Sequence, residues 1–138
     1  MKIEIIDMGA TEQNRLPKRA HPQDVGADVF APRSFNLESG CTAKVALGFG
    51  VKIPNGFAGF VVPRGSMAQA GITCQLCPID SSYTGEIHAV ITNGRHDSFY
   101  ITKGDRIGQL VIIPCVIADF VTEPLEERGS NSFGSTGK

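Results

Sequence analysis

Five segments of the chain hold residue types whose spacing suits proton transfer and anion binding. The sharpest is Ile79-Asp80-Ser81-Ser82-Tyr83-Thr84-Gly85-Glu86-Ile87. An apolar residue precedes Asp80 and a Ser-Ser-Tyr-Thr-Gly turn follows it. The carboxylate therefore stands at a hairpin mouth, where it can take a proton from water as a general base does. Taken alone, an Asx turn accounts for Asp80 more simply. In Pro63-Arg64-Gly65-Ser66-Met67-Ala68 an arginine precedes a helical turn, which sets a cation beside helix N-terminal amides. A surface arginine explains it equally well. Gly26-Ala27-Asp28-Val29-Phe30 places an acid in an apolar stretch. In Gly104-Asp105-Arg106-Ile107-Gly108-Gln109 a structural pair between Asp105 and Arg106 leaves only Gln109 spare.

The fifth segment, Arg128-Gly129-Ser130-Asn131-Ser132-Phe133-Gly134-Ser135-Thr136-Gly137-Lys138, is rich in glycine and serine. Glycines let backbone N–H groups point at an anion, Arg128 adds a planar cationic fork, and Ser135 and Thr136 add hydroxyl donors. Gly129 and Gly134 have the spacing of a Walker A loop, but Ser135 stands where its lysine belongs, so it is not one. Phe133 has no local core to join. Delivered on a flexible segment, its ring can stack on a flat ligand such as a base. A disordered tail with one accidental aromatic is the plainer alternative.

The elements that must position these residues are strands. Lys2–Ile6, Ala43–Ile53, Phe57–Val62, Gly85–Thr92, Phe99–Ile101 and Gln109–Phe120 are rich in Val, Ile and Phe. Turn signals separate them, among them Pro54-Asn55-Gly56, which predicts a hairpin, and Lys103-Gly104-Asp105. Short strands at this spacing predict an all-β sandwich or barrel. One helical turn is expected over Ser66–Ala70, capped by Ser66 and ended by Gly71. With 138 residues the chain fits one domain: a β-domain over 1–123 and a flexible C-terminal tail over 124–138 that belongs to it.

Composition excludes several classes of partner. Thirteen Lys and Arg against 14 Asp and Glu give a net charge of −1, and no basic run is longer than Lys18-Arg19. That argues against a nucleic acid polymer. The longest uncharged run, Gly65 to Ile79, is too short and polar to span a bilayer, so no membrane partner is expected. Glu4 and Asp7 interrupt the opening apolar residues, which speaks against a signal peptide and makes the cytoplasm the default location. Cys74-Gln75-Leu76-Cys77 has C-x-x-C spacing, but neither Cys41, Cys115 nor the three histidines complete a four-ligand zinc set at short spacing. Reduced thiols are the expectation.

Together and in order, the segments Gly26–Ala31, Pro63–Ile72, Ile79–Ile87, Gly104–Leu110 and Arg128–Gly137 resemble the five motifs of the dUTPase family. The resemblance covers more than three-quarters of the chain. It implies a β-clip, jelly-roll-like distorted barrel that works as a homotrimer with active sites shared between subunits. It implies hydrolysis of dUTP to dUMP and pyrophosphate, which limits uracil in DNA and supplies dUMP for thymidylate synthesis. In that family's terms Asp80 matches the catalytic carboxylate that activates a water for in-line attack on the α-phosphorus. Tyr83 matches the aromatic residue under the deoxyribose, and Ile87 closes the same motif at the substrate. Arg64, with Gly65 and Ser66, Gln109 and Arg128 match phosphate contacts. Phe133 matches the aromatic that stacks on uracil, and Gly134, Ser135 and Thr136 close over the phosphates. The implied cofactor is Mg²⁺, bound by the nucleotide and met through water by Asp28.

Three departures from the family pattern stand out. Arg64-Gly65-Ser66 replaces the usual Arg-Ser-Gly or Arg-Ser-Ser, so the phosphate-facing hydroxyl has moved one residue or given way to a backbone contact. Cys77-Pro78-Ile79 replaces Gly-x-Ile, which removes an N–H near the hairpin and brings Cys74 and Cys77 to the border of the uracil pocket. Ser82 stands where an acid is frequent. Competing readings are a bifunctional dCTP deaminase–dUTPase, a dUTPase-like nucleotide-binding regulator, and a generic β-sandwich binding module.

Overall fold

Among the described residues ten strands form four small sheets whose inner faces share one core. The computed structural model describes residues 1–126. In chain order the elements are β1 (Glu4–Asp7), β2 (Ala27–Phe30), β3 (Phe35–Leu37), β4 (Thr42–Ala46), β5 (Phe49–Lys52), β6 (Phe57–Val62), α1 (Gly65–Gln69), β7 (Ile72–Cys74), β8 (His88–Asn93), β9 (Phe99–Ile101) and β10 (Arg106–Pro114). β1 pairs with β5 and β3 with β9, while β10 lies between β2 and β6 and β8 between β4 and β7, every pair antiparallel. Val29, Val45, Phe49, Val61, Ile72, Ile91, Ile101 and Ile107 come from all four sheets into that core, which makes the fold a distorted, jelly-roll-like barrel. No helix among the described residues is long and apolar enough to cross a membrane.

Alternation explains the clearest strands. In β8 Ala89, Ile91 and Asn93 are buried while His88, Val90 and Thr92 face outward, the two-residue period of a sheet with one wet face. The stretch expected to be one strand over Ala43–Ile53 is two, in different sheets. Gly48 breaks it with a φ of +80°, and its carbonyl turns out to accept the N–H groups of Met8 and Ala10. The strand expected over Gln109–Phe120 runs instead over Arg106–Pro114. β2, β3 and β7, of three or four residues each, lie outside the expected strands.

Pro54-Asn55-Gly56 does not close a hairpin. Phe57 donates its N–H to the Pro54 carbonyl at 3.2 Å, and only Gly56 has positive φ, at +85°. Positive φ at the second central residue alone makes a type II turn, whose twist splays strands rather than pairing them. β5 accordingly pairs with β1 and β6 with β10. The helix differs from expectation at its start, one residue early with Arg64 as N-cap and no side-chain cap bond from Ser66, while Gly71, with φ of +87°, follows the C-cap Ala70 and ends it as expected.

Asn93 is the polar pin of the barrel. Fully buried, it donates from Nδ2 to the carbonyls of Leu37 and Asp97, both at 2.9 Å, and accepts the Arg95 N–H at 2.8 Å. Asn93→Ala leaves those backbone groups without partners, so urea unfolding should show a loss on the order of 3 kcal/mol. A loss below about 0.5 kcal/mol would mean that water replaces the amide.

Candidate active site

Ile79 fixes the turn that carries Asp80. Its N–H donates to the Gly59 carbonyl at 2.7 Å and its carbonyl accepts the Gly59 N–H at 3.0 Å, which ties the turn to β6. Tyr83 N–H then donates to the Asp80 carbonyl at 3.0 Å, and Ser81 Oγ donates to Asn55 Oδ1 at 3.2 Å. The turn is thus held by backbone and by Ser81. Among the described residues the Asp80 carboxylate takes part in no hydrogen bond or ion pair, so it is not spent on an Asx turn. It is exposed and free to hold a water.

A cleft of about 300 Å³ opens beside it, lined by Asp80, Tyr83, Ile87, Cys77, Pro78 and His88 among others. Tyr83 Oη donates to the Glu86 carbonyl at 2.9 Å, and His88 Nδ1 lies 3.1 Å from the same oxygen. Glu86 Oε2 in turn accepts the Gly48 N–H at 2.9 Å. Glu86 therefore couples the tyrosine to the barrel. Gly85 lies close under Tyr83, since a Cβ there would stand 2.6 Å from the phenolic oxygen. The two cysteines part company. Cys77 is exposed and lines the cleft, whereas Cys74 is buried in the core, where burial pushes its thiol up to about 11. Such a thiol stays protonated at neutral pH and is a poor metal ligand or nucleophile.

The remaining motif residues gather in a second cleft. Asp28, Arg64, Gly65, Ser66, Arg106 and Gln109 line it, and none of its lining residues also lines the first. Register explains the gathering: Gln109 of β10 stands opposite Asp28 on one side and Val62 on the other, and Val62 leads into Pro63-Arg64. Asp28, with only 13% of its side chain exposed, accepts from Arg64 Nε at 3.1 Å and has Arg106 Nε at 3.6 Å. The pair expected between Asp105 and Arg106 does not form. Asp105 Oδ2 instead accepts the Thr102 N–H at 2.9 Å within its own turn, and Arg106 turns to Asp28. Arg106 was therefore missed as a site residue. Its place at the first position of a strand, after a glycine turn that keeps Asp105, was the available signal. Gly65 has open space around it, and Ser66 is exposed on the first turn of α1. Arg128, Phe133, Gly134, Ser135 and Thr136 lie outside the described residues.

The donor set fits a metal ion carried by phosphate rather than one held by protein. No group of three His, Cys, Asp or Glu side chains among the described residues can hold an ion. Asp28 keeps unused acceptor capacity for a metal-bound water, since a carboxylate accepts at about four positions. Two acids, Asp24 and Asp28, balance Arg64 and Arg106 in this cleft. An incoming polyphosphate would therefore need counter-charge of its own.

Comparison with known proteins covers nearly the whole chain. A family model described as dUTPase matches residues 12–137. The deoxyuridine 5'-triphosphate nucleotidohydrolase of Tropheryma whipplei is 37% identical over 145 residues, covering 100% of this chain and 97% of the relative. That of Leifsonia xyli is 42% identical over 130 residues, covering 89% and 86%. The Staphylococcus bacteriophage 80alpha dUTPase with dUpNHpp superposes with a TM-score of 0.80 at 25% identity, covering 99% of each chain.

Gly50 connects barrel and site. A Cβ there would stand 2.7 Å from the Gly85 carbonyl oxygen and 2.8 Å from that of Thr84, both backbone atoms of the Tyr83 turn. Gly50→Ala should cost about 1–3 kcal/mol in thermal or urea unfolding and shift the ring resonances of Tyr83. Native stability with unmoved Tyr83 signals contradicts this coupling.

Proposed function

The chain belongs to the dUTPase family, a family of dUTP diphosphatases, and on that premise we propose that it hydrolyses dUTP to dUMP and pyrophosphate with Asp80 as the general base. The observation that carries this reading is the unengaged Asp80 carboxylate in the cleft it shares with Tyr83. Asp80 holds a water, takes its proton and directs the oxygen at the α-phosphorus in line with the leaving pyrophosphate. Tyr83, steadied through the Glu86 carbonyl, packs under the deoxyribose, and Ile87 completes that wall. No covalent intermediate is needed, because positioning and charge stabilisation supply the rate.

Arg64, Gly65, Ser66 and Gln109 receive the phosphate chain. Arg64 gives Nε to Asp28 and keeps its two terminal nitrogens for phosphate oxygens; Gln109 gives Nε2 to the Pro63 carbonyl at 3.3 Å, which orients its amide. Asp28 would meet a nucleotide-bound Mg²⁺ through water, and the ion would supply charge neutralisation of the phosphates. Arg128, Phe133, Gly134, Ser135 and Thr136 close the site, with Phe133 stacking on uracil and excluding bulk water. The two clefts of one chain share no lining residue. That supports a homotrimer in which Asp80 and Tyr83 of one subunit meet the phosphate cleft of another.

Pyrophosphate release measured with dUTP, UTP, dCTP and dTTP, with and without Mg²⁺, tests the reaction; no turnover of dUTP would sink it, and ammonia from dCTP would point to the deaminase class. Asp80→Asn should lower turnover by about 10²- to 10⁴-fold while titration with dUpNHpp gives an unchanged affinity. Truncation before Arg128 should greatly lower kcat/KM and leave the melting temperature as it was. A truncated chain with full activity refutes the closing role.

A further inference from the structure

Behind Asp28 lies a cleft that the proposed reaction does not use. It has a volume of about 510 Å³ and is lined by Arg15, Lys18, Arg19 and Arg106 with Asp28 as the one carboxylate. Four cations against one acid give a local charge of +3 on a chain whose net charge is −1. Asp28 and Arg106 line the phosphate cleft as well, so the two clefts meet at those residues.

Arg15 is the unusual member. The residue is only 7% exposed, and it donates from Nη1 to the Leu47 carbonyl and from Nε to Gln13 Oε1, each at 2.9 Å. Both acceptors are neutral. Among the described residues no carboxylate lies within 4.0 Å of Arg15, Lys18 or Arg19. A buried guanidinium without a counter-ion is costly unless an anion or solvent compensates it. Lys18 and Arg19 form the longest basic run of the sequence, and both are exposed at this cleft. The Lys18 backbone is bridged to Asp28 by hydrogen bonds of 3.1 and 2.8 Å, which hold its side chain at the rim.

We propose that this cleft is a second anion subsite that takes inorganic pyrophosphate as it leaves the phosphate cleft. The proposal rests on the hydrolysis reading for the source of that ligand. Pyrophosphate is compact, multiply charged and lacks a base, so cationic N–H donors suffice to bind it. Arg106, half exposed and 3.6 Å from Asp28, borders both clefts and can contact the anion from either side.

Calorimetric titration of inorganic pyrophosphate into the intact protein, in buffer containing Mg²⁺, tests this directly. The native chain should bind two pyrophosphates per subunit, and the double variant Lys18→Ala/Arg19→Ala should bind one. Both side chains are exposed, so the variant should keep its melting temperature and its affinity for dUpNHpp. Lys18→Gln/Arg19→Gln, which retains the aliphatic stems, should also bind one if charge is what matters. One site in both native and variant proteins overturns the proposal, as does a second site that survives the substitutions. The titration needs no turnover, so its outcome is separate from failure of the enzyme to cleave dUTP.

Discussion

Strand β10 is the constraint on which the rest of the structure depends. It hydrogen-bonds to β2 along one edge and to β6 along the other, and the two ladders overlap at Gln109 and Leu110. The first ladder sets Asp28 across from Gln109; the second sets Val62 there and so delivers Arg64. β6 has a further task, since Gly59 pairs with Ile79 and thereby anchors the turn of Asp80. β6 thus serves both clefts, through Gly59 in the first and Val62 in the second. A one-residue slip in an antiparallel register sends every side chain to the opposite face, so the buried positions Val61, Ile107 and Leu110 hold the site in register from within the core. Gly26 shows how tight the fit is: a Cβ there would collide with Gln109 Oε1.

The charges around Asp28 serve orientation more than stability. Arg64 and Arg106 have 30% and 50% of their side chains exposed, so water screens their attraction to the carboxylate and the pairs add little to folding. What they accomplish is geometric. A guanidinium held at Nε by a carboxylate keeps its terminal N–H groups directed together, the arrangement a phosphate group requires. Asp28 is in turn fixed through its backbone to Lys18 and through its strand to β10. Strong pairing would bury the cations' capacity to bind anything else; weak, oriented pairing leaves it available.

How much of this was legible in the sequence depended on the range of the interaction. β6 and β9 have the bounds expected of them, because turn signals and β-branched or aromatic residues are local properties. Asp80, Tyr83 and Ile87 do share a cleft, although their turn closes no hairpin: Ile79 bridges to Gly59 and Ile87 bonds to Phe49 and Leu47. What failed was non-local. Asp105 and Arg106 are adjacent and opposite in charge, yet a turn N–H takes the first and a strand 78 positions earlier takes the second. No motif in the sequence includes Arg15, and only the folded chain shows it buried against the Leu47 carbonyl. Asn55-Gly56 carries a hairpin signal, but Asn55 has negative φ, and its side chain is used to hold Ser81 instead.

The departures from the family pattern are absorbed by the same logic of who supplies each hydrogen bond. Pro78 has no N–H to give, yet the bridge to β6 is made entirely by Ile79, which donates and accepts at Gly59. Proline is tolerated wherever its missing donor had no partner to lose. The Cys74 and Cys77 pair divides along the strand end: Cys74 is the last residue of β7 and points into the core, and Cys77 lies beyond the strand at the cleft. A C-x-x-C spacing therefore brings no shared chemistry here, because one thiol is held protonated by burial and the other is at the surface. The side chain at position 77 borders the space beside Tyr83 without touching the bonds that hold Asp80. Substitutions at that position can thus alter the shape of this cleft while leaving the anchoring of Asp80 intact.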